Sequence, residues 1–140
     1  MAAEKRRSHE PDFAKRLLKD ETLDYIQHLP ETRRYTWEGK RIVINHGTLW
    51  SLFSTSPPRF YDRITQMAEG DVLLLGHTHE VLHAQYGSTS IFNPGAVSLR
   101  MGGITCATLT LPDLEFTVFD VQTAQVKSPP IHVIPAYLTE

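Results

Sequence analysis

Three histidines follow two apolar runs of the sequence: His46 comes after the run at 41–45, and His77 and His79 come after the run at 72–75. Short apolar runs of this kind predict buried strands. A glycine near the end of each run allows a sharp turn, so the three histidine side chains could lie close together. Neutral imidazole is a common ligand of Zn, Mn, Fe and Ni. The spacing therefore predicts a site for metal-assisted chemistry formed by these three side chains.

The composition fits one globular domain: the chain has 140 residues, 41% of them hydrophobic, and a formal net charge of -2. The only basic cluster is 5–7, which is too small for a nucleic-acid footprint. The single cysteine, Cys106, excludes an internal disulfide and is predicted to be a buried structural thiol. No apolar run approaches the length of about 20 residues that crosses a membrane. The predicted location is therefore the cytoplasm.

The hydrophobic pattern predicts alternating helices and strands. Helices are expected at 12–28 and 59–69, and strands at 34–37, 41–44, 71–75, 81–86, 89–92, 104–110 and 114–119. The loop at 48–58 is expected either to form a wall or lid beside His46 or to pack as a surface loop. This order predicts an α/β fold, a mixed β-sandwich flanked by helices. We expect a loose amino terminus at 1–10, a single domain at 11–127 and a Pro-containing tail at 128–140.

A series of motifs resembles the calcineurin-like metallophosphoesterases, closest to their small bacterial and archaeal phosphodiesterase branch. The motifs are His46-Gly47, then Gly76-His77-Thr78-His79, then Asn93-Pro94-Gly95, and the resemblance extends over residues 23–120. It implies a four-layer α/β sandwich that holds two divalent metal ions, where a metal-bound hydroxide hydrolyses a phosphoester, in particular a phosphodiester of a small molecule. It also implies that His46 and His77 bind one metal and that His79 binds the other. The metal remains open among Mn, Zn, Fe and Ni.

Part of the family pattern is missing from the chain. Family members also carry an Asp-x-His pair, a Gly-Asp and a Gly-Asn before the position of His46, and residues 1–45 contain none of these. Asp71 cannot replace them, because it begins the strand that His77 follows and should lie about 20 Å away. His9 matches a family motif only faintly. The chain therefore resembles the carboxy-terminal half of the family domain, and we expect a homo-oligomer or a complementing polypeptide to cover the missing half.

Three functions stay open at this point. The first is a metal-dependent phosphoesterase for which this chain supplies only the histidine part of the metal site. The second is a non-catalytic scaffold or binding module, for which the family offers a precedent in a retromer subunit of the same fold. The third is a protein that binds one metal ion through three histidines. Arg100 is expected either to clamp a phosphate or to be an ordinary surface charge.

Overall fold

The computed structural model describes residues 17–99 and 103–137, and their contacts divide the chain into two units between Glu31 and Thr32. The first unit contains helix α1 (Asp20–Gln27), which has two acidic residues in its first turn. Negative charge there is favourable because it faces the positive end of the helix dipole. The predicted helix at 12–28 includes α1, and its first five residues lie outside the described residues. The predicted extents of the domain and the tail stay predictions.

The second unit is built on a six-stranded sheet with the order β1-β2-β3-β5-β4-β9. Its strands are β1 (Thr32–Trp37), β2 (Lys40–Asn45), β3 (Val72–Leu74), β4 (Val81–Tyr86), β5 (Thr89–Pro94) and β9 (His132–Val133). The central strands β2, β3 and β5 run parallel to one another. Their carboxyl ends therefore meet at one edge of the sheet, where parallel sheets place their functional loops.

A smaller antiparallel sheet has the order β6-β7-β8. It consists of β6 (Val97–Ser98), β7 (Gly103–Thr110) and β8 (Glu115–Asp120). The predicted hairpins and strands are found with small shifts at their ends. The two-residue strands β6 and β9 were not predicted, because two residues are too short to show a period of alternation.

Neighbouring residues of the central strands point to opposite faces of the large sheet. Both faces are buried, as is usual for parallel strands. Helix α2 (Pro58–Ala68) covers one face and joins a core that includes Val43, Leu73 and Ile91. The other face, with Ile42, Val72 and Phe92, packs against side chains of the small sheet and the turn between its strands. The predicted α/β fold class is confirmed, and this unit has three layers: helix, sheet and sheet. In the described parts of the chain, no helix is long and apolar enough to span a membrane.

The prediction that Cys106 is a buried thiol is wrong, because its side chain is exposed. It lies in β7, where exposed residues alternate with partly buried ones. Neighbouring side chains of a strand point to opposite faces, and in β7 the partly buried ones include Ala107 and Leu109. The apolar neighbours of Cys106 therefore did not indicate its own burial.

An ion pair between Arg41 and Asp71 links β2 to the start of β3. Arg41 Nη2 lies 2.7 Å from Asp71 Oδ1, and the Arg41 backbone N–H donates to Oδ2 at 2.9 Å. These hydrogen bonds to Arg41 hold the pKa of Asp71 at about 2, below its ordinary value of 3.8. A carboxylate with a lowered pKa in the folded state stabilises the fold above its ordinary pKa, and this stability is lost as the pH falls from 3.8 towards 2.

We expect Asp71→Asn to lower the free energy of unfolding modestly at pH 7, because much of this pair is exposed to water. The difference from wild type should shrink below pH 4, be small near pH 2 and disappear below that pH. Urea unfolding at several pH values measures this difference in stability. Asp113→Asn, which removes the charge of an exposed turn residue, is the control. A difference that stays constant across this range would show that the charge of Asp71 is not responsible.

Candidate functional site

The candidate site lies where the parallel strands end. His46 follows β2, His77 and His79 follow β3, and Asn93 lies near the end of β5. A backbone hydrogen bond of 3.1 Å from the Gly76 N–H to the His46 carbonyl oxygen joins the first two loops. The parallel arrangement of the strands therefore brings together segments that are far apart in the sequence.

His46 and His77 form a pair. Their ring centroids are 5.4 Å apart with an interplanar angle of 79°, and both residues are exposed. Gly76 lies beside this pair, and a Cβ atom at its position would make an ordinary contact of 3.4 Å with His46 Nδ1. The two rings can therefore face one small group from solvent.

Both histidines of the second motif have left-handed backbone conformations. His77 has a φ of 63° and His79 has a φ of 60°, a region that residues with a Cβ atom seldom occupy. Each such residue costs on the order of 1–3 kcal/mol and persists only when its surroundings hold it. Backbone strain of this kind is often found at functional sites, where it fixes the direction of a side chain.

Asn93 holds this strained turn in place. Its buried side-chain amide donates to the Gly76 carbonyl oxygen at 2.8 Å and to Thr78 Oγ1 at 3.1 Å. Its Oδ1 accepts a hydrogen bond of 2.9 Å from the Gly95 N–H. Asn93 therefore connects the end of β5 to the histidine turn, and the Asn-Pro-Gly motif supports the site structurally.

Asn45 makes a similar connection beside His46. Its Oδ1 accepts a hydrogen bond of 2.6 Å from the Gly47 N–H, and its Nδ2 donates to Thr32 Oγ1 at 2.7 Å. Gly47 has a φ of 90°, which a glycine adopts without strain. The sequence analysis did not select Asn45, although the spacing Asn-x-Gly occurs both at 45–47 and at 93–95 and is a known turn signal.

Glu80 ties the loop after His46 to the histidine turn. Its carboxylate accepts hydrogen bonds from the hydroxyl and the backbone N–H of Ser54. The buried Tyr61 hydroxyl donates to the Phe53 carbonyl oxygen at 2.7 Å, and burial together with Glu80 raises the pKa of Tyr61 to about 12. The loop at 48–58 is therefore packed against its neighbours, and its predicted role as a wall or lid beside His46 stays a prediction. The roles of Ser54 and Glu80 were not predicted, because no motif links residues 26 positions apart.

His46 and His77 are two potential metal ligands that lie next to each other. Across the described ranges 17–99 and 103–137, no three His, Cys, Asp or Glu side chains are grouped closely enough to hold a metal ion. Metal binding by His46, His77 and His79 therefore stays a prediction. Asp71 is paired with Arg41 at the opposite end of β3, as expected from its position. His9 and Arg100 lie outside the described residues.

Comparisons with known proteins identify relatives of the chain. A family model described as the calcineurin-like phosphoesterase superfamily domain matches residues 12–114. The phosphodiesterase YfcE of Escherichia coli strain K12 is 31% identical over 81 residues, which cover 56% of this chain and 39% of that protein. The match thus spans well under half the length of this curated relative.

Solved structures of Vps29 share the fold. A single mutant from Entamoeba histolytica superposes with a TM-score of 0.54 at 23% identity, covering 72% of this chain and 59% of that one. The wild-type protein from the same organism, complexed with Zn²⁺, gives 0.52 at 22% identity with the same coverage. Vps29 from Chaetomium thermophilum gives 0.53 at 15% identity, covering 90% and 88%. At these identities the likeness concerns the fold alone, and it agrees with the predicted metallophosphoesterase-like architecture.

Proposed function

Because the chain belongs to the calcineurin-like phosphoesterase superfamily, we propose that it takes part in the metal-dependent hydrolysis of phosphoesters, with a phosphodiester of a small molecule as the substrate. The observation that carries this proposal is the facing pair of His46 and His77 at the ends of two parallel strands. The phosphodiesterase named among the relatives supports the choice of bond.

In this proposal His46 and His77 hold one divalent ion, and His79 holds a second. When bound, such ions polarise phosphoryl oxygens and lower the pKa of a bound water. The contribution of the chain itself is positional: Asn45 and Asn93 hold the two histidine loops, so the imidazoles are oriented before a ligand arrives. The remaining ligands are carboxylates supplied from outside the described residues, by another part of the polypeptide or by a complementing one.

Metal analysis combined with a phosphodiesterase assay tests the proposal. The purified protein is incubated with Mn²⁺ or Zn²⁺, freed of excess metal, analysed for bound ions, and assayed with bis(4-nitrophenyl) phosphate. We expect the chain to bind metal, and we expect turnover when the segment that supplies the carboxylates is present. His77→Ala should lower the metal affinity and any turnover by at least about 100-fold, since even residues that only orient a ligand contribute 10–100-fold. His28→Ala, which changes an exposed histidine of the first unit, is the matched control and should leave both unchanged.

One observation favours a second candidate function, a non-catalytic binding module. The described residues gather no complete set of metal ligands, as a scaffold that has lost catalysis would also show. A protein whose histidines bind no metal would overturn the phosphoesterase proposal and support the binding module. A single bound ion without turnover would support the mononuclear histidine site.

A further inference from the structure

A cavity of about 350 Å³ is lined by helix α2 and by residues 49–51 of the loop that follows His46. The helix contributes Phe60, Arg63, Ile64 and Met67. These four positions have the spacing i, i+3, i+4 and i+7, so they form one stripe along the helix. The cavity belongs to the face of the six-stranded sheet that α2 covers, whereas the small sheet packs against the other face.

The lining of this cavity is mostly apolar and is open to solvent. Leu49, Phe60 and Met67 are exposed, and Trp50 is partly buried. Large apolar side chains that are exposed together mark a binding site more often than scattered ones do. Pockets for small molecules have volumes of roughly 300–1,000 Å³ and combine apolar and aromatic walls with a few polar groups that orient the ligand. The size and composition of the cavity therefore fit a small molecule.

Arg63 is the charged side chain of the lining, and no acidic residue lines the cavity. Within the described residues, its guanidinium has no ion pair and no hydrogen bond. The neighbouring carboxylate of Asp62 is already engaged, because it accepts from the Tyr86 hydroxyl at 3.0 Å and from the Gln66 amide at 2.8 Å. A guanidinium binds a carboxylate through two parallel hydrogen bonds. The cavity therefore combines apolar walls with an unpaired cation that favours an anionic ligand.

The loop wall of the cavity is held in place without a ligand. The Gly47 carbonyl oxygen accepts hydrogen bonds from the Trp50 N–H at 3.0 Å and from the Ser51 hydroxyl at 3.2 Å. The next residue, Leu52, is buried in the core beneath α2. Because the wall is already ordered, a ligand would lose little affinity to the ordering of the protein.

We propose that this cavity binds a small carboxylate with an apolar body. The carboxylate pairs with Arg63, and the apolar body packs against Trp50, Phe60 and Met67. No histidine lines the cavity, and the site requires no metal. The proposal is therefore independent of the phosphoesterase proposal.

A second copy of the chain does not suit the cavity. In a dimer with a two-fold axis, the same surface of each copy meets itself. The Arg63 side chains of the two copies would then approach each other, and the lining offers no acidic residue to separate them. Like charges placed together at an interface are unfavourable. The same positive charge favours a negatively charged ligand.

A fluorescence titration tests the charge of the ligand. The chain has two tryptophans, and Trp37→Phe leaves Trp50 as the only one. The probes are octanoate and the uncharged octan-1-ol, and we expect a saturable change in Trp50 fluorescence with octanoate in metal-free buffer. Arg63→Gln should weaken octanoate binding about fivefold, because the ion pair is partly open to water, and should leave octan-1-ol binding unchanged. Arg33→Gln, at an exposed arginine of β1, is the matched control and should change neither.

The apolar part of the ligand is tested by its length. Hexanoate lacks two CH2 groups and should bind about tenfold more weakly than octanoate, because each buried CH2 contributes up to about fourfold. NMR spectra of the wild-type protein locate the site even if a variant fails to fold. The methyl resonances of Leu49, Ile64 and Met67 should shift on addition of octanoate.

Four results would overturn the proposal. One is the absence of a saturable response to octanoate, and another is unchanged octanoate binding by a folded Arg63→Gln variant. Methyl shifts that leave out Leu49, Ile64 and Met67 would place the probe elsewhere. A stable dimer, seen by light scattering, that excludes octanoate would show that a second copy occupies the cavity.

Discussion

Replacing Gly95 by alanine is expected to lower the free energy of unfolding by about 4 kcal/mol, through overpacking and backbone strain together. A Cβ atom at this position would lie 2.3 Å from Thr105 Oγ1 and 2.7 Å from Val81 Cγ2. Gly95 also has a φ of 98°, which disfavours any residue with a Cβ atom. Thr105 cannot easily withdraw, because its hydroxyl donates to the Pro94 carbonyl oxygen at 2.6 Å.

Gly87 provides the matched control for this substitution. It also has a positive φ, of 57°, but nothing lies within 4 Å of an added Cβ atom. Gly87→Ala should therefore cost only the backbone strain, about 1 kcal/mol. Urea unfolding followed by circular dichroism measures both variants. Equal losses in the two would show that the contact with Thr105 and Val81 does not matter.

Replacing Asn93 by alanine is expected to cost about 3 kcal/mol and to release the histidine turn. The side chain is 1% exposed and makes three hydrogen bonds, to Gly76, Thr78 and Gly95. Alanine would remove all three hydrogen bonds and leave the Gly95 N–H without this partner, whereas the Gly76 carbonyl oxygen would keep only the Thr78 N–H at 2.7 Å. Each lost hydrogen bond contributes about 0.5–1.5 kcal/mol, and an unsatisfied buried group costs about 1–3 kcal/mol. His77 and His79 could then relax from their left-handed conformations.

Chemical unfolding measures the stability of Asn93→Ala, and the histidine ring resonances in NMR spectra report the release of the turn. Thr78→Ala removes only one partner of Asn93 and should cost about 1 kcal/mol. Because these residues contact each other, the double variant should cost less than the sum of the single ones. Wild-type stability in Asn93→Ala, together with unchanged resonances of His77 and His79, would contradict this role for Asn93.

Much of the architecture could be predicted from local patterns. The alternation at 81–86 and the apolar run at 41–45 predicted β4 and β2, because strand burial follows directly from side-chain periodicity. The helical spacing that includes Ile64 predicted α2. The same reasoning gave the wrong burial for Cys106, because the burial of a strand residue depends on which face another layer covers.

The sequence alone determined the types and spacing of the histidines, the order of the long elements and the resemblance to a family that the comparison with family models bears out. Only the tertiary structure decided that His46 faces His77, that Asn93 holds the turn between β3 and β4, and that Trp50 and Arg63 line one cavity. The physical reason is the range of the interactions. Periodicity and turn propensity act between neighbours in the chain, whereas ring contacts, buried amide hydrogen bonds and cavity walls depend on segments brought together by folding.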